Sequence, residues 1–137
     1  MGKGLGGSVR WRVYLYGLPA MGWGAFLMVT ALSRSLGPID DIDIVSHQDK
    51  IVHLAQYFIL AFLTFFALVR GTRRSRDFQL RVTIGAIIAY GIALELLQVL
   101  VPERDMSMFD IIANMAGAIV GAYVAASVLE PVALRKD

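Results

Sequence analysis

The chain has 137 residues, enough for one domain and too few for two; 57% are apolar and only 18% charged. That balance excludes an ordinary water-soluble domain, which needs more polar surface, and makes the bilayer the expected solvent. A formal charge of +2 is small, no nucleic-acid partner is expected, and the absence of cysteine excludes a disulfide framework or a thiolate metal site.

Four stretches are long enough, at about 20 residues each, to cross a hydrocarbon core as helix. They run from Trp11 to Leu32, Ile51 to Val69, Leu80 to Val101 and Phe109 to Leu129. The prediction is an all-α fold: an integral membrane bundle of four transmembrane helices in a single domain covering residues 1–137. The glycine-rich start "MGKGLGG" reads as a flexible tail. The first apolar stretch is too long for the core of a signal peptide, and no clear small-x-small cleavage site follows it, so it is read as a retained span. Pro19 within it is expected to kink or loosen the helix. The loop "SRSLGPIDDIDIVSHQDK" follows, acidic through Asp40, Asp41, Asp43 and Asp49. The second connection, "RGTRRSRDFQLR", is short and basic.

Ten of the thirteen Lys and Arg residues fall before span one, around the second loop or at the chain end; Arg34, Lys50 and Arg104 fall on the other side. The positive-inside rule then places both termini in the cytoplasm and the acidic first loop outside. Spans three and four each carry small residues four apart: Gly85, Ala89 and Ala93, then Ala113, Gly117, Gly121 and Ala125. Both stripes predict close helix packing, because small side chains let backbones approach in lipid.

The polar residues sort by helix geometry. Lys50, His53 and Tyr57 share a face of span two, Glu95 and Gln98 lie three apart on span three, and Asp110, Asn114, Gly117 and Gly121 form a stripe on span four. His53, Tyr57, Glu95, Gln98, Asp110 and Asn114 all fall roughly 5–12 Å below the outer surface at the 1.5 Å rise of a helix. Arg104 sits above them in a short outer loop. Ionisable groups in a bilayer cost about 2.5–3.5 kcal/mol each on insertion scales, so they pair or line a wet cavity. One reading is a network holding helices in register, with Glu95 on Lys50 or Arg104 and with Asn114 and Gln98 bridging. The other is an outward-facing pocket. In it His53, Glu95 and Asp110 are the candidate catalytic groups, and Lys50, Tyr57, Gln98, Arg104 and Asn114 the candidate substrate-binding groups. Lys50 and Arg104 suit a phosphate or carboxylate, Arg104 the better through its planar donor fork. No cofactor is predicted. A divalent cation has weak support, since only His47 and His53 are available, and Asp40, Asp41 and Asp43 more simply form a solvated loop.

These residues carry a resemblance. "DKIVHLAQYFILAFL" followed by "ELLQVLVPERDMSMFDIIANMAGAIVGA" resembles the VanZ-like family of small bacterial membrane proteins. That family pairs a D-K-x-x-H helix start with an E-x-x-Q helix end, then an Arg and a D-x-x-x-N-x-x-G helix start. The matching positions are Asp49, Lys50, His53, Glu95, Gln98, Arg104, Asp110, Asn114 and Gly117, within a region from about 49 to 122. The resemblance implies a cell-envelope protein in the bacterial cytoplasmic membrane, and the family is named for a member associated with resistance to teicoplanin.

The expected function is binding of a phosphate- or carboxylate-bearing lipid or envelope precursor in the outer pocket, with or without its modification. The partners that fit are membrane lipids, a lipid-linked precursor or a lipophilic glycopeptide. The alternatives are a structural or assembly subunit whose polar residues set helix register, and a small transporter completed by oligomerisation.

Overall fold

The computed structural model describes residues 5–33, 48–102 and 106–133. These form four helices and no strand: α1 Leu5–Leu32, α2 Gln48–Gly71, α3 Arg76–Gln98 and α4 Met108–Ala133. Each contains a segment long and apolar enough to cross a membrane, namely Tyr14–Leu32, Lys50–Gly71, Arg76–Gln98 and Met108–Leu129. α1 continues as one helix through Pro19. The proline ring removes one backbone donor but does not end the helix, as membrane helices tolerate.

Local chemistry sets the ends. The Thr72 hydroxyl and backbone N–H both donate to the Leu68 carbonyl, at 2.8 and 2.9 Å, closing α2 just after Gly71. Extended Ser75 precedes α3, its carbonyl accepting from Gln79 N at 3.0 Å, and Asp77 in the first turn complements the positive end of the helix dipole. α3 stops at Gln98, three residues before the predicted Val101, because Leu100 and Val101 fold into a turn on Leu97 and Gln98 ahead of Pro102. At the start of α4, Ser107 Oγ accepts the Asp110 N–H at 3.4 Å. "SMFD" is thus an N-cap serine with an acid three residues on.

α2 packs against the other three helices, while α1 and α4 each touch α2 and α3 but, among the described residues, not one another. The α2–α4 contact is the tightest. A Cβ added at Gly117 would run into the Leu54 carbonyl and come within 3.0 Å of Phe58 N, and one at Gly121 would meet the Phe58 carbonyl. Ala118, Ala122, Ala125 and Ala126 are sealed on that side of the bundle with Ala61 and Phe65 of α2. This is the packing that the span-four stripe predicts.

The span-three stripe behaves differently. Gly85, Ala89 and Ala93 are exposed, and nothing lies within 4 Å of a Cβ placed on Gly85. The buried face of α3 consists of Gln79, Leu80, Thr83, Ile87, Gly91, Leu94, Glu95 and Gln98. Burying the polar members of that face turns the small stripe outward. The glycine that admits a neighbour on α3 is Gly91, where an added Cβ would lie 2.8 Å from Tyr57 Cε1.

α1 is the outlying helix, held by directed bonds as well as packing. Trp23 Nε1 donates to the Gln56 carbonyl at 3.0 Å, and Tyr90 Oη donates to the Gly24 carbonyl at 2.6 Å. Leu27 is its contribution to the buried core.

Candidate functional site

The start of α2, the end of α3 and the start of α4 meet at one end of the bundle, and their polar side chains meet there too. Asn114 is the hub. Its side chain is almost sealed, at 2% exposure, and both of its amide atoms are engaged with ionisable groups. Nδ2 donates to Glu95 Oε1 at 3.3 Å, and Oδ1 lies 3.1 Å from His53 Nδ1. Because the amide nitrogen faces a carboxylate, the oxygen faces the ring, so His53 donates its Nδ1–H to Asn114. In the neutral ring this leaves the lone pair on Nε2. His53 Nδ1 also stands 3.9 Å from Glu95 Oε1, so His53, Asn114 and Glu95 close a triangle across three helices.

Asp110 completes the group. One ring nitrogen of His53, one carboxylate oxygen of Glu95 and one of Asp110 lie within 4.8 Å of each other. Glu95 is buried, whereas His53 and Asp110 are half-buried. The cluster is therefore walled behind by Glu95 and Asn114 and less covered at His53 and Asp110. The backbone N–H of Ser107 lies close to the Glu95 carboxylate. In a reciprocal capping box that amide would be taken by the acid at the third helical position, here Asp110. Among the described residues the Asp110 carboxylate takes no hydrogen bond, from that amide or from another donor.

The remaining predicted residues take distinct places. Tyr57 is buried at 3% exposure and lies against Gly91, with Asn114 Cβ at the same spot, so it floors the cluster. Lys50 Nζ stands 5.7 Å from the centre of the Phe109 ring, at the less covered rim. Gln98, expected to line the pocket or bridge its acids, sends Nε2 to the Ala31 carbonyl of α1 at 3.4 Å. It braces the first helix against the end of the third. Arg104 lies outside the described residues, as do Asp40, Asp41, Asp43 and His47 and the side chain of Asp49.

Three participants escaped the sequence reading. Ser107 caps the start of α4 with its backbone close to Glu95, and the S-x-x-D spacing is the signal that finds it. Phe109 supports Lys50 through its ring face, with no signal beyond an aromatic residue near a helix start. Ala31 contributes a backbone carbonyl, which no side-chain pattern reveals.

The chemistry available is that of a histidine with a set tautomer beside two carboxylates, one buried and one half-buried, with an ammonium group at the rim. Such a set can hold a proton or a cation and orient an anionic group through Lys50.

A family model described as VanZ/LLP1 matches residues 17–129. The match extends beyond the region of the sequence resemblance into the first helix and reaches all four spans. No curated protein and no solved structure matches the chain. With four membrane-length helices and a family match over most of its length, the chain belongs to the VanZ/LLP1 family and is a multi-pass membrane protein.

Proposed function

We propose that this protein binds a phosphate- or carboxylate-bearing lipid or envelope precursor at the polar end of its bundle, on the outer side of the bacterial cytoplasmic membrane. The observation that carries the reading is the convergence of His53, Glu95 and Asp110 from three helices, with His53 and Asp110 left half-buried and Lys50 at the rim. A network serving helix register alone has no need to stay open or to gather four ionisable groups. The orientation is supported by Arg70, Arg73, Arg74 and Arg76 at the opposite end of the bundle, where the positive-inside rule wants cytoplasm. The link to glycopeptide resistance comes with the family, and shielding or altering an envelope lipid fits a pocket facing outward.

Binding is tested with the full chain in detergent by native mass spectrometry, offering phosphatidic acid against phosphatidylcholine. Preferential retention of phosphatidic acid, lost in Lys50→Gln and in Glu95→Gln without loss of thermal stability, supports the site. The register reading draws on the sealed, doubly bonded Asn114. It wins if Glu95→Gln lowers stability while lipid retention is indifferent to headgroup. Because the chain lacks cysteine, a single Ser107→Cys substitution reports sidedness. Labelling of intact cells by a membrane-impermeant maleimide is the expected result, and labelling only after lysis would reverse the topology.

A further inference from the structure

We infer that His53, Glu95 and Asp110 form a divalent-cation site, and that the ion is what presents this end of the bundle to a phosphate oxygen. The second half rests on the binding reading above; the first half stands without it. The starting point is a mismatch of charge. An anionic headgroup entering the cluster would face two carboxylates whose oxygens lie within 4.8 Å of each other and of a histidine nitrogen. Lys50 stands over Phe109 at the rim. Two acids turned toward one another in a poorly hydrated site repel each other and any third anion. A divalent cation between them removes both repulsions and supplies a positive centre for the headgroup.

The ligand set fits. One imidazole and two carboxylates suit zinc or manganese, and three protein ligands leave coordination positions for water or a phosphate oxygen. Tetrahedral bonds of about 2.1 Å place ligand atoms roughly 3.4 Å apart, within about 1.5 Å of the separations present. The ligands sit on three different helices, whose relative positions are set by the close α2–α4 packing at Gly117 and Gly121.

Two further observations point the same way. Asn114, nearly sealed, is hydrogen-bonded to both His53 and Glu95. A buried partner that orients two ligands at once is the usual outer support of a metal site. Among the described residues the Asp110 carboxylate takes no hydrogen bond, so it keeps acceptor capacity at the less covered side. A network built only for helix register would be expected to satisfy that acid from within.

The test titrates Mn²⁺ into the purified full-length protein in detergent and follows the loss of the free-ion electron paramagnetic resonance signal, with Zn²⁺ as competitor. One equivalent should bind, with affinity falling at least ten-fold in Glu95→Gln and in Asp110→Asn. Asp77→Asn, an exposed acid at the start of α3, should bind as the wild type does. Asp110→Asn is the decisive variant, because the half-buried amide leaves the backbone cap of α4 in place even if Glu95→Gln fails to fold. Wild-type binding no tighter than that of Asp110→Asn overturns the site, as does an equal loss in Asp77→Asn. Phosphatidic acid retention is then measured with and without EDTA. Retention lost in EDTA and restored by Mn²⁺ supports the bridging role. Full retention in EDTA overturns that role and leaves the lipid reading intact. Mn²⁺ binding with no lipid retention under either condition overturns the lipid reading and leaves the ion site standing.

Discussion

The two ends of the bundle both bury polar side chains, yet they spend them differently. Where α2 gives way to α3, Gln79 is buried and sends Nε2 to the Leu68 carbonyl and to Thr72 Oγ, each at 3.3 Å. Thr72 itself donates to Leu68, and the neighbouring Arg70 and Arg74 lie over the rings of Phe66 and Phe78. Those contacts end on backbone carbonyls and aromatic faces, which do not titrate. At the other end Asn114 spends both amide atoms on His53 and Glu95, with Asp110 close by. A polar side chain that caps a helix carbonyl is bracing; one that aligns ionisable groups is the arrangement that the proposed site requires. Gln98 shows that the rule applies residue by residue, because it stands beside the site and yet braces α1 as Gln79 braces α2.

The largest effect should come from breaking the packing on which the polar end depends. Gly117→Leu forces a side chain into the Leu54 carbonyl and the Phe58 amide. It should cost more than the ~1–3 kcal/mol of ordinary overpacking, because backbone must move. Loss of the monodisperse fraction after detergent extraction is the expected readout. Asn114→Leu comes next. It strands Glu95 and His53 without their shared partner and should lower stability by about 1–2 kcal/mol while abolishing Mn²⁺ binding. A stable variant that still binds the ion would erase the distinction between the two ends.

Gln79→Leu makes the reciprocal cut. It should cost about 1 kcal/mol in thermal or denaturant unfolding and leave both Mn²⁺ and phosphatidic acid binding at wild-type strength. A ten-fold binding defect in that variant would show that the ends are coupled rather than separate. Gly85→Leu should be the mildest, within about 0.5 kcal/mol of wild type, because its Cβ points into open space. A large defect there would mean that the exposed face of α3 meets a partner in the membrane.

The sequence by itself determined the four spans, their order and the level at which their polar residues lie. Those properties are local: apolar length sets a span, and distance from a helix end sets depth. It also put His53, Glu95, Asp110 and Asn114 at one level, since α2, α3 and α4 alternate in direction, but level alone does not make them face one another. Helix rotation was another matter. Gly85, Ala89 and Ala93 carry the same spacing as Gly117 and Gly121, and hydropathy cannot separate a lipid-facing stripe from a buried one when both surroundings are apolar. Tertiary packing decided that α3 buries Glu95, Gln98 and Gly91, which turned the small stripe outward. It also decided that Gln98 reaches an α1 carbonyl and that the start of α4 brings the Ser107 backbone close to Glu95. Backbone donors and acceptors leave no trace in residue identity, so partners of that kind exist only once the helices are packed.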